Sequence, residues 1–326
     1  MSEPHSPPAH LAVVADIGGT NTRVALARDG TVDRDTIRRY RNAENDSLET
    51  VLTDYLGQQN ATPDAACVAM AGPVRDGVGK LTNLDWRVDK RAVAQASGAT
   101  TVAILNDLQA QGHALDALTP DVLTPVLPGQ PASPQAAKLV VGVGTGLNAA
   151  PVYRLGGQTL VPPSETGHVS LKARDAGELR LRDWVARKHD MPGFEDVLSG
   201  RGFERIYAFL CDEDGAGAPM SASEIMAAQD EDDRARRAIA LFTRLLGAYV
   251  GDLTLITLPF GGIYLCGGVT QHFGPHLASA TFTEAFCDKG RFSEFMRQFP
   301  VHILTDDYAA LTGCACHLTE LHHLGA

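Results

Sequence analysis

Apolar and polar positions alternate along the start of the chain in two short runs hinged at glycine. Residues 11–16 form an apolar run ending in an acid, Gly18-Gly19 follow, residues 22–28 form a second run, and Asp29-Gly30 close it. Short apolar or β-branched runs bounded by Gly and Asp read as strands, and Asp-Gly between two of them as a tight hairpin turn. Residues 31–40 are more polar and predict one outer strand, so the chain opens as an antiparallel meander and not as strand–helix alternation. Residues 46–56 have the other period. Leu48, Val51, Leu52, Tyr55 and Leu56 share one face, Asp46 and Glu49 stand in capping positions, and Gly57 predicts the stop. Ala65–Met70 predicts a strand halted at Ala71-Gly72-Pro73, and 101–105 another with Asn106-Asp107 at its carboxyl end and a helix over 108–118.

At Lys138 the opening theme recurs: an apolar strand, the turn Gly144-Thr145-Gly146, and a second strand over 148–154. This repetition predicts duplicated α/β domains. Residues 236–258 predict a long helix with Ile239, Phe242, Leu245, Leu246, Tyr249, Val250, Leu253 and Ile256 on its apolar side. Arg244, Gly251 and Asp252 interrupt its apolar stretch, which predicts a buried or amphipathic helix and not a membrane span. Residues 262–266 predict a strand ending in Gly267-Gly268, and 211–219 a surface loop.

Composition narrows the classes. A chain of 326 residues suggests two domains, and 44% hydrophobic with 21% charged residues is the balance of a soluble globular enzyme. The net charge of −11 gives no bulk attraction for nucleic acid or an anionic membrane. A polyanionic ligand must therefore be gripped locally, by backbone N–H groups, helix ends and a metal ion. The first ten residues lack a basic region and an apolar region, so they read as a short tail and not a signal peptide. Six cysteines without a CxxC pair predict free or buried thiols in a reducing cytosol.

Candidate chemistry gathers at the glycine turns and strand ends. In Asp16-Ile17-Gly18-Gly19-Thr20-Asn21, backbone N–H groups and the Thr20 hydroxyl can donate to phosphate oxygens, and Asp16 can hold Mg²⁺ through water. An ordinary hairpin turn is the alternative. Gly142-Val143-Gly144-Thr145-Gly146 is a second such turn, again with a purely structural alternative. It is not a dinucleotide fingerprint, because Leu147 and Asn148 follow where a helix should open. Lys80 lacks the Ser or Thr and the upstream Gly of a Walker A loop. Asp107 at a strand's carboxyl end can take a proton from a sugar hydroxyl, or the Asn106-Asp107 pair can cap a helix. Glu165 and His168, around Gly167, offer the mixed acceptors and donors that a polyol needs; half a metal site and a solvated loop are the alternatives. Glu195 can also simply favour a helix start.

The ordered set DIGGTN (from Asp16), MAGPV (from Met70), TNLDW (from Thr82), ILND (to Asp107), GVGTGLN (from Gly142), ETGH (from Glu165), EDVLSG (from Glu195) and LCGGV (from Leu265) resembles bacterial ATP-dependent glucokinase of the proteobacterial, non-ROK type. The resemblance spans nearly the whole chain. It implies an α/β, two-domain actin-like ATPase (ribonuclease H-like) fold with mixed sheets and an interdomain cleft where sugar and ATP meet. It implies a small domain of residues 1–108 plus 303–326 and a large domain of 109–302. Ala15, Asp16, Ile17, Gly18, Gly19 and Thr20 correspond to the first phosphate loop, Gly144, Thr145 and Gly146 to the second, and Gly267 and Gly268 to the adenosine turn. Asp107 matches the catalytic base, and Asn83, Asn106, Asp107, Glu165, His168 and Glu195 match the glucose ligands. Thr166 stands where the family usually has the first of two glycines, and the zinc-binding Cys cluster of ROK kinases is missing. The implied reaction moves the γ-phosphate of Mg-ATP to the 6-hydroxyl of D-glucose, in a cytoplasmic homodimer. A kinase for another hexose or amino sugar and a non-catalytic sugar-binding regulator are the alternatives.

Overall fold

Two mixed sheets carry the chain in the computed structural model, which describes residues 10–81 and 84–325. The expected N-terminal tail and Asn83 lie outside the described residues. The chain divides into two units, Met1–Leu118 with Leu155–Pro163 and Asp306–Ala326, and Thr119–Arg154 with Ser164–Thr305.

In the first unit, β1 (Leu11–Ile17) pairs antiparallel with β2 (Asn21–Arg28), and β2 also pairs with β3 (Thr31–Val32) and β4 (Arg38–Arg41). The single polar strand expected over 31–40 is therefore two pieces. Asp33 caps a 3₁₀ turn at Arg34–Thr36, and the Thr36 hydroxyl takes the Leu26 N–H, which bends the chain away from the ladder. Helix α1 (Leu48–Gln59) starts one residue after the expected cap, on Ser47, which accepts from the Thr50 N–H. It runs through Gly57 and stops at Asn60, whose φ of 48° is left-handed. β5 (Ala65–Met70) continues the sheet parallel to β1. A small three-stranded sheet of β6 (Val74–Arg75), β7 (Val78–Lys80) and β8 (Arg87–Asp89) leads into α2 (Lys90–Ser97). β9 (Thr101–Asn106) lies parallel to β5, and α3 (Asp107–Ala114) follows at once, shorter than expected because Ala117 N–H tightens the turn back onto Ala114.

The two faces of this sheet explain the unbroken apolar character of β1. Val13, Ala15 and Ile17 join the core built with α1 and α2, while Ala12 and Val14 join the core built with α3 and the C-terminal helix, Ala309–Gly325. A strand covered on both sides has no solvent face on which to place polar residues.

In the second unit, β10 (Leu123–Leu127) pairs with a late strand, and β11 (Lys138–Val143) pairs antiparallel with β12 (Leu147–Leu155). β13 (Gln158–Leu160) belongs to the segment returned to the first unit. The helices are α4 (Ala176–Ala186), α5 (Gly200–Asp214), α6 (Ala222–Ala227), α7 (Asp233–Thr257), α8 (Gly268–His272), α9 (Gly274–Leu277), α10 (Ala280–Cys287) and α11 (Ser293–Met296). β14 (Ile263–Cys266) lies parallel to β11, and β15 (Val301–Leu304) parallel to β14. The C-terminal helix is α12. The order β12-β11-β14-β15 repeats β2-β1-β5-β9: a hairpin whose first strand carries two further parallel strands. The duplication read from the two glycine turns is thus present in the topology.

Helix α7 is core. It buries Ile239, Phe242, Leu245, Leu246, Tyr249 and Val250, and its most apolar window is 67% buried. Phe203, Phe242 and Phe273 form an aromatic cluster with ring centroids 4.4–5.5 Å apart. Helix α5 runs to Asp214 and ends on Gly215, so the surface loop expected from Cys211 begins only there. None of the six cysteines is in a disulfide, and five of them are buried.

Candidate active site

Strand register decides which residues of the first unit meet. Ile17 stands opposite Met70 and Met70 opposite Asn106, so β1, β5 and β9 end together. The Gly18-Gly19 turn, the Ala71-Gly72 exit and Asp107 therefore share one carboxyl edge. With strands about 4.8 Å apart, two spacings put the turn and Asp107 on the order of 10 Å apart.

The Gly18 turn is held by a residue the sequence reading missed. Asn42 is buried. Its Nδ2 donates to the Gly18 carbonyl at 2.8 Å, its N–H to the Thr20 carbonyl at 2.9 Å, and its Oδ1 accepts from the Thr22 hydroxyl at 2.8 Å. Gly18 N–H closes the turn onto the Asn21 carbonyl at 3.0 Å, leaving Gly19 and Thr20 exposed at the tip. Arg23, also missed, is the cross-strand partner of Asp16 and donates to its Oδ2 at 3.1 Å. Counting outward from the turn across the hairpin would have found it. Burial pushes the Asp16 carboxyl up, with Arg23 working against the shift. Ala15 and Ile17 have their side chains in the core, so only their main chain can face a ligand.

Both sequence readings of Asn106-Asp107 find a residue. The cap is Asn106: its Oδ1 accepts from Leu108 N–H at 3.0 Å, and Gln109 Oε1 accepts from the Asn106 N–H, completing a capping box. Its Nδ2 donates to the Gly72 carbonyl at 3.2 Å, leaving the second amide hydrogen outside that bond. Asp107 is the first helical residue, half-buried, with Oδ1 accepting from Leu108 N–H at 2.9 Å.

The second unit builds a matching edge. Gly142 stands opposite Cys266, which brings the Gly144-Thr145-Gly146 turn beside Gly267-Gly268. Gly144 N–H donates to the Gly146 carbonyl and Gly200 N–H to the Gly144 carbonyl, both at 2.9 Å, and Thr145 is exposed at the tip. Gly267 has φ 96°, and a Cβ there would lie 2.5 Å from the Val143 carbonyl, so glycine is required on both counts.

The expected sugar ligands of this unit gather around the same turn. Glu165 precedes a 3₁₀ turn, Thr166–His168, and Glu195 sits in another, Phe194–Asp196. A bridge between Ser170 and Gly193 and the bond from Phe194 N–H to the Val169 carbonyl hold the two turns side by side. Glu195 Oε2 accepts from Leu147 N–H at 2.9 Å, which ties this carboxylate to the residue that follows the glycine turn. Desolvation pushes the Glu165 carboxyl up; His168 opposes the shift and Glu195 adds to it.

Asn148 and Tyr249 complete the arrangement and were not read from the sequence as site residues. Asn148 Nδ2 donates to the Ser164 carbonyl at 2.6 Å, and its Oδ1 accepts from Thr166 N–H at 3.0 Å. Tyr249 donates its hydroxyl to Thr166 Oγ1 at 2.7 Å. The Thr166 side chain, where the resembled family usually has glycine, is therefore half-buried and bonded into the scaffold of the loop.

The first unit thus brings together Asp16, Gly18, Gly19, Thr20, Asn106 and Asp107, and the second Gly144, Thr145, Gly146, Gly267, Gly268, Glu165, His168 and Glu195. The family model described as Glucokinase matches residues 13–321. A glucokinase from Chromohalobacter salexigens is 34% identical over 309 residues, covering 94% of this chain and 96% of that protein. The crystal structure of a glucokinase from an Antarctic psychrotroph is 30% identical, with a TM-score of 0.83 over 94% of this chain and 98% of its own. A ROK hexokinase from Thermus thermophilus is 20% identical, with a TM-score of 0.67 over 97% and 100% of the two chains, and shares the fold. The two mixed sheets with their helices are the actin-like arrangement of these kinases.

Proposed function

The chain belongs to the glucokinase family, EC 2.7.1.2, and phosphorylates glucose with ATP; from that premise we propose that Asp107 is the base that takes the proton of the glucose 6-hydroxyl as it attacks the γ-phosphorus. The observation that carries this reading is the register of β1, β5 and β9. It puts a helix-end carboxylate on the same strand edge as the first phosphate turn. Phosphoryl transfer needs positioning and charge neutralisation above all. In this reading Gly19 and Thr20, and Thr145 and Gly146, present backbone N–H groups to the phosphates, and Gly267-Gly268 seats the adenosine. Glu165 and Glu195 accept from sugar hydroxyls, His168 donates or accepts, and Asn106 offers its second amide hydrogen.

Asp16 suits Mg²⁺ bound through water. It is a largely buried carboxylate at the phosphate turn, with Oδ1 outside the Arg23 ion pair. Mg²⁺ held there would supply charge neutralisation to the phosphates. Arg23 holds Asp16 in place at the turn meanwhile. A cytoplasmic homodimer completes the proposal, supported by the family and, for the compartment, by six cysteines outside any disulfide.

The acceptor atom can be tested with 6-deoxyglucose, which keeps every ring hydroxyl except the reacting one. It should compete with glucose for binding while stimulating no sugar-dependent ADP release. ADP release at the rate seen with glucose would overturn the assignment of the 6-hydroxyl and, with it, the position given to Asp107.

A further inference from the structure

Helix α3 begins at the proposed base and ends near a cluster that the phosphoryl-transfer reading does not use. His113 lies in its last turn, and α12 brings up His317 and Glu320, one helical turn apart. One ligand atom from each of the three lies within 4.8 Å of the others. His113 Nδ1 is 3.4 Å from Glu320 Oε2, and the two imidazole centroids are 4.4 Å apart. The Nδ1 atoms of both histidines are buried and make no hydrogen bond. Buried ring nitrogens without a hydrogen bond are costly unless something supplies the missing partner, and the His113–Glu320 contact at 3.4 Å is long for one.

The carboxylate is oriented for such a partner. Glu320 Oε1 accepts from the Thr159 N–H at 3.1 Å and from the Thr159 hydroxyl at 2.7 Å. This fixes the plane of the group and leaves Oε2 beside His113, as the outer hydrogen bonds of a metal ligand do. Both histidines and Glu320 belong to the first unit.

We propose that His113, His317 and Glu320 bind one Zn²⁺ ion, with water as the fourth ligand. Two imidazoles and a carboxylate are a donor set that Zn²⁺ takes in tetrahedral geometry. Metal–ligand bonds of about 2 Å put tetrahedral donor atoms roughly 3.3 Å apart, so small side-chain rotations close the cluster onto the ion. His113 is buried while His317 and Glu320 are half-buried, so the ion enters from the α12 side. The ion pins the carboxyl end of α3 to α12, and so steadies the helix whose first residue is Asp107. This inference does not depend on the role given to Asp107.

The test uses the full chain, stripped with a chelator and desalted, without nucleotide. Titration with ZnCl₂ by calorimetry, and metal analysis after dialysis, should give one zinc per chain, and the Tm should rise with zinc concentration. His317→Ala and Glu320→Gln, both compatible with a helix, should each lose that zinc and the zinc-dependent rise in Tm. His322→Ala, which removes a neighbouring α12 ring that packs 4.0 Å from His10 and lies outside the cluster, should keep both. Absence of stoichiometric zinc in the unaltered chain overturns the proposal, as does zinc that persists in the His317 and Glu320 variants or vanishes with His322→Ala.

Discussion

Glu165 shows how much a single side chain can reveal about the proposed sugar site. It lies on an exposed 3₁₀ entry, yet desolvation holds its carboxyl above the usual glutamate range, and the nearby Glu195 adds like charge. As a ligand for sugar hydroxyls it must be ionised to act only as an acceptor. Its folded pKa is raised, so the protonated form persists to higher pH than for a solvated glutamate, and acidification removes the acceptor early. The KM for glucose should therefore climb as pH falls, beginning at a higher pH than a solvated glutamate would give. In Glu165→Gln that part of the pH dependence should disappear while KM is high throughout. Steady-state kinetics as a function of pH, in both proteins, checks the expectation; an unchanged slope in the variant contradicts it. Asn42, Arg23 and Asn148 teach a different lesson. Each braces a motif from a distance in sequence or across a hairpin, so local pattern gave no reason to choose them, apart from the register count that pairs Arg23 with Asp16.

At the scale of elements, the two glycine turns are held in different ways. The first is braced from β4's exit by Asn42; the second is tied to the Phe194–Asp196 turn through Glu195 and Leu147. A Cβ on Gly146 would lie 2.7 Å from Glu195 Oε2. Gly146→Ala must displace that carboxylate, breaking its bond to Leu147 and moving the proposed sugar ligand and the proposed phosphate turn together. We expect KM for glucose and for ATP both to rise, each by about tenfold, the cost of about one hydrogen bond. A rise confined to ATP would show that the two motifs are not coupled. Elements with a strong period were legible: both glycine hairpins, α1, α7 and the strands at Ala65 and Lys138 were readable from apolar spacing. Their ends were not. Ser47 outcompeted Asp46 as a cap, and α1 tolerated Gly57 because the helix stops where Asn60 takes the left-handed conformation. The polar segment 31–40 gave no period to read. Its break comes from the Asp33 and Thr36 side chains bonding to backbone N–H groups, a competition that composition does not disclose.

At the scale of the molecule, the duplicated topology explains why glycine turns recur. In both units a hairpin leads into parallel strands, and each unit exposes a turn tip at a carboxyl edge, where α/β sheets place ligands. Family and fold class were legible because the motifs come in a fixed order over the whole chain. The partition of 155–163 into the first unit was not, because nothing in that polar stretch signals where it packs. The central claim remains that Asp107 takes the proton. The most direct measurement is Asp107→Asn, which keeps size and the bond from Leu108 N–H but removes basicity. Glucose affinity by calorimetry should stay within a few-fold of the unaltered enzyme, while kcat falls at least about a hundredfold. Turnover near the original rate with intact glucose binding would contradict the account.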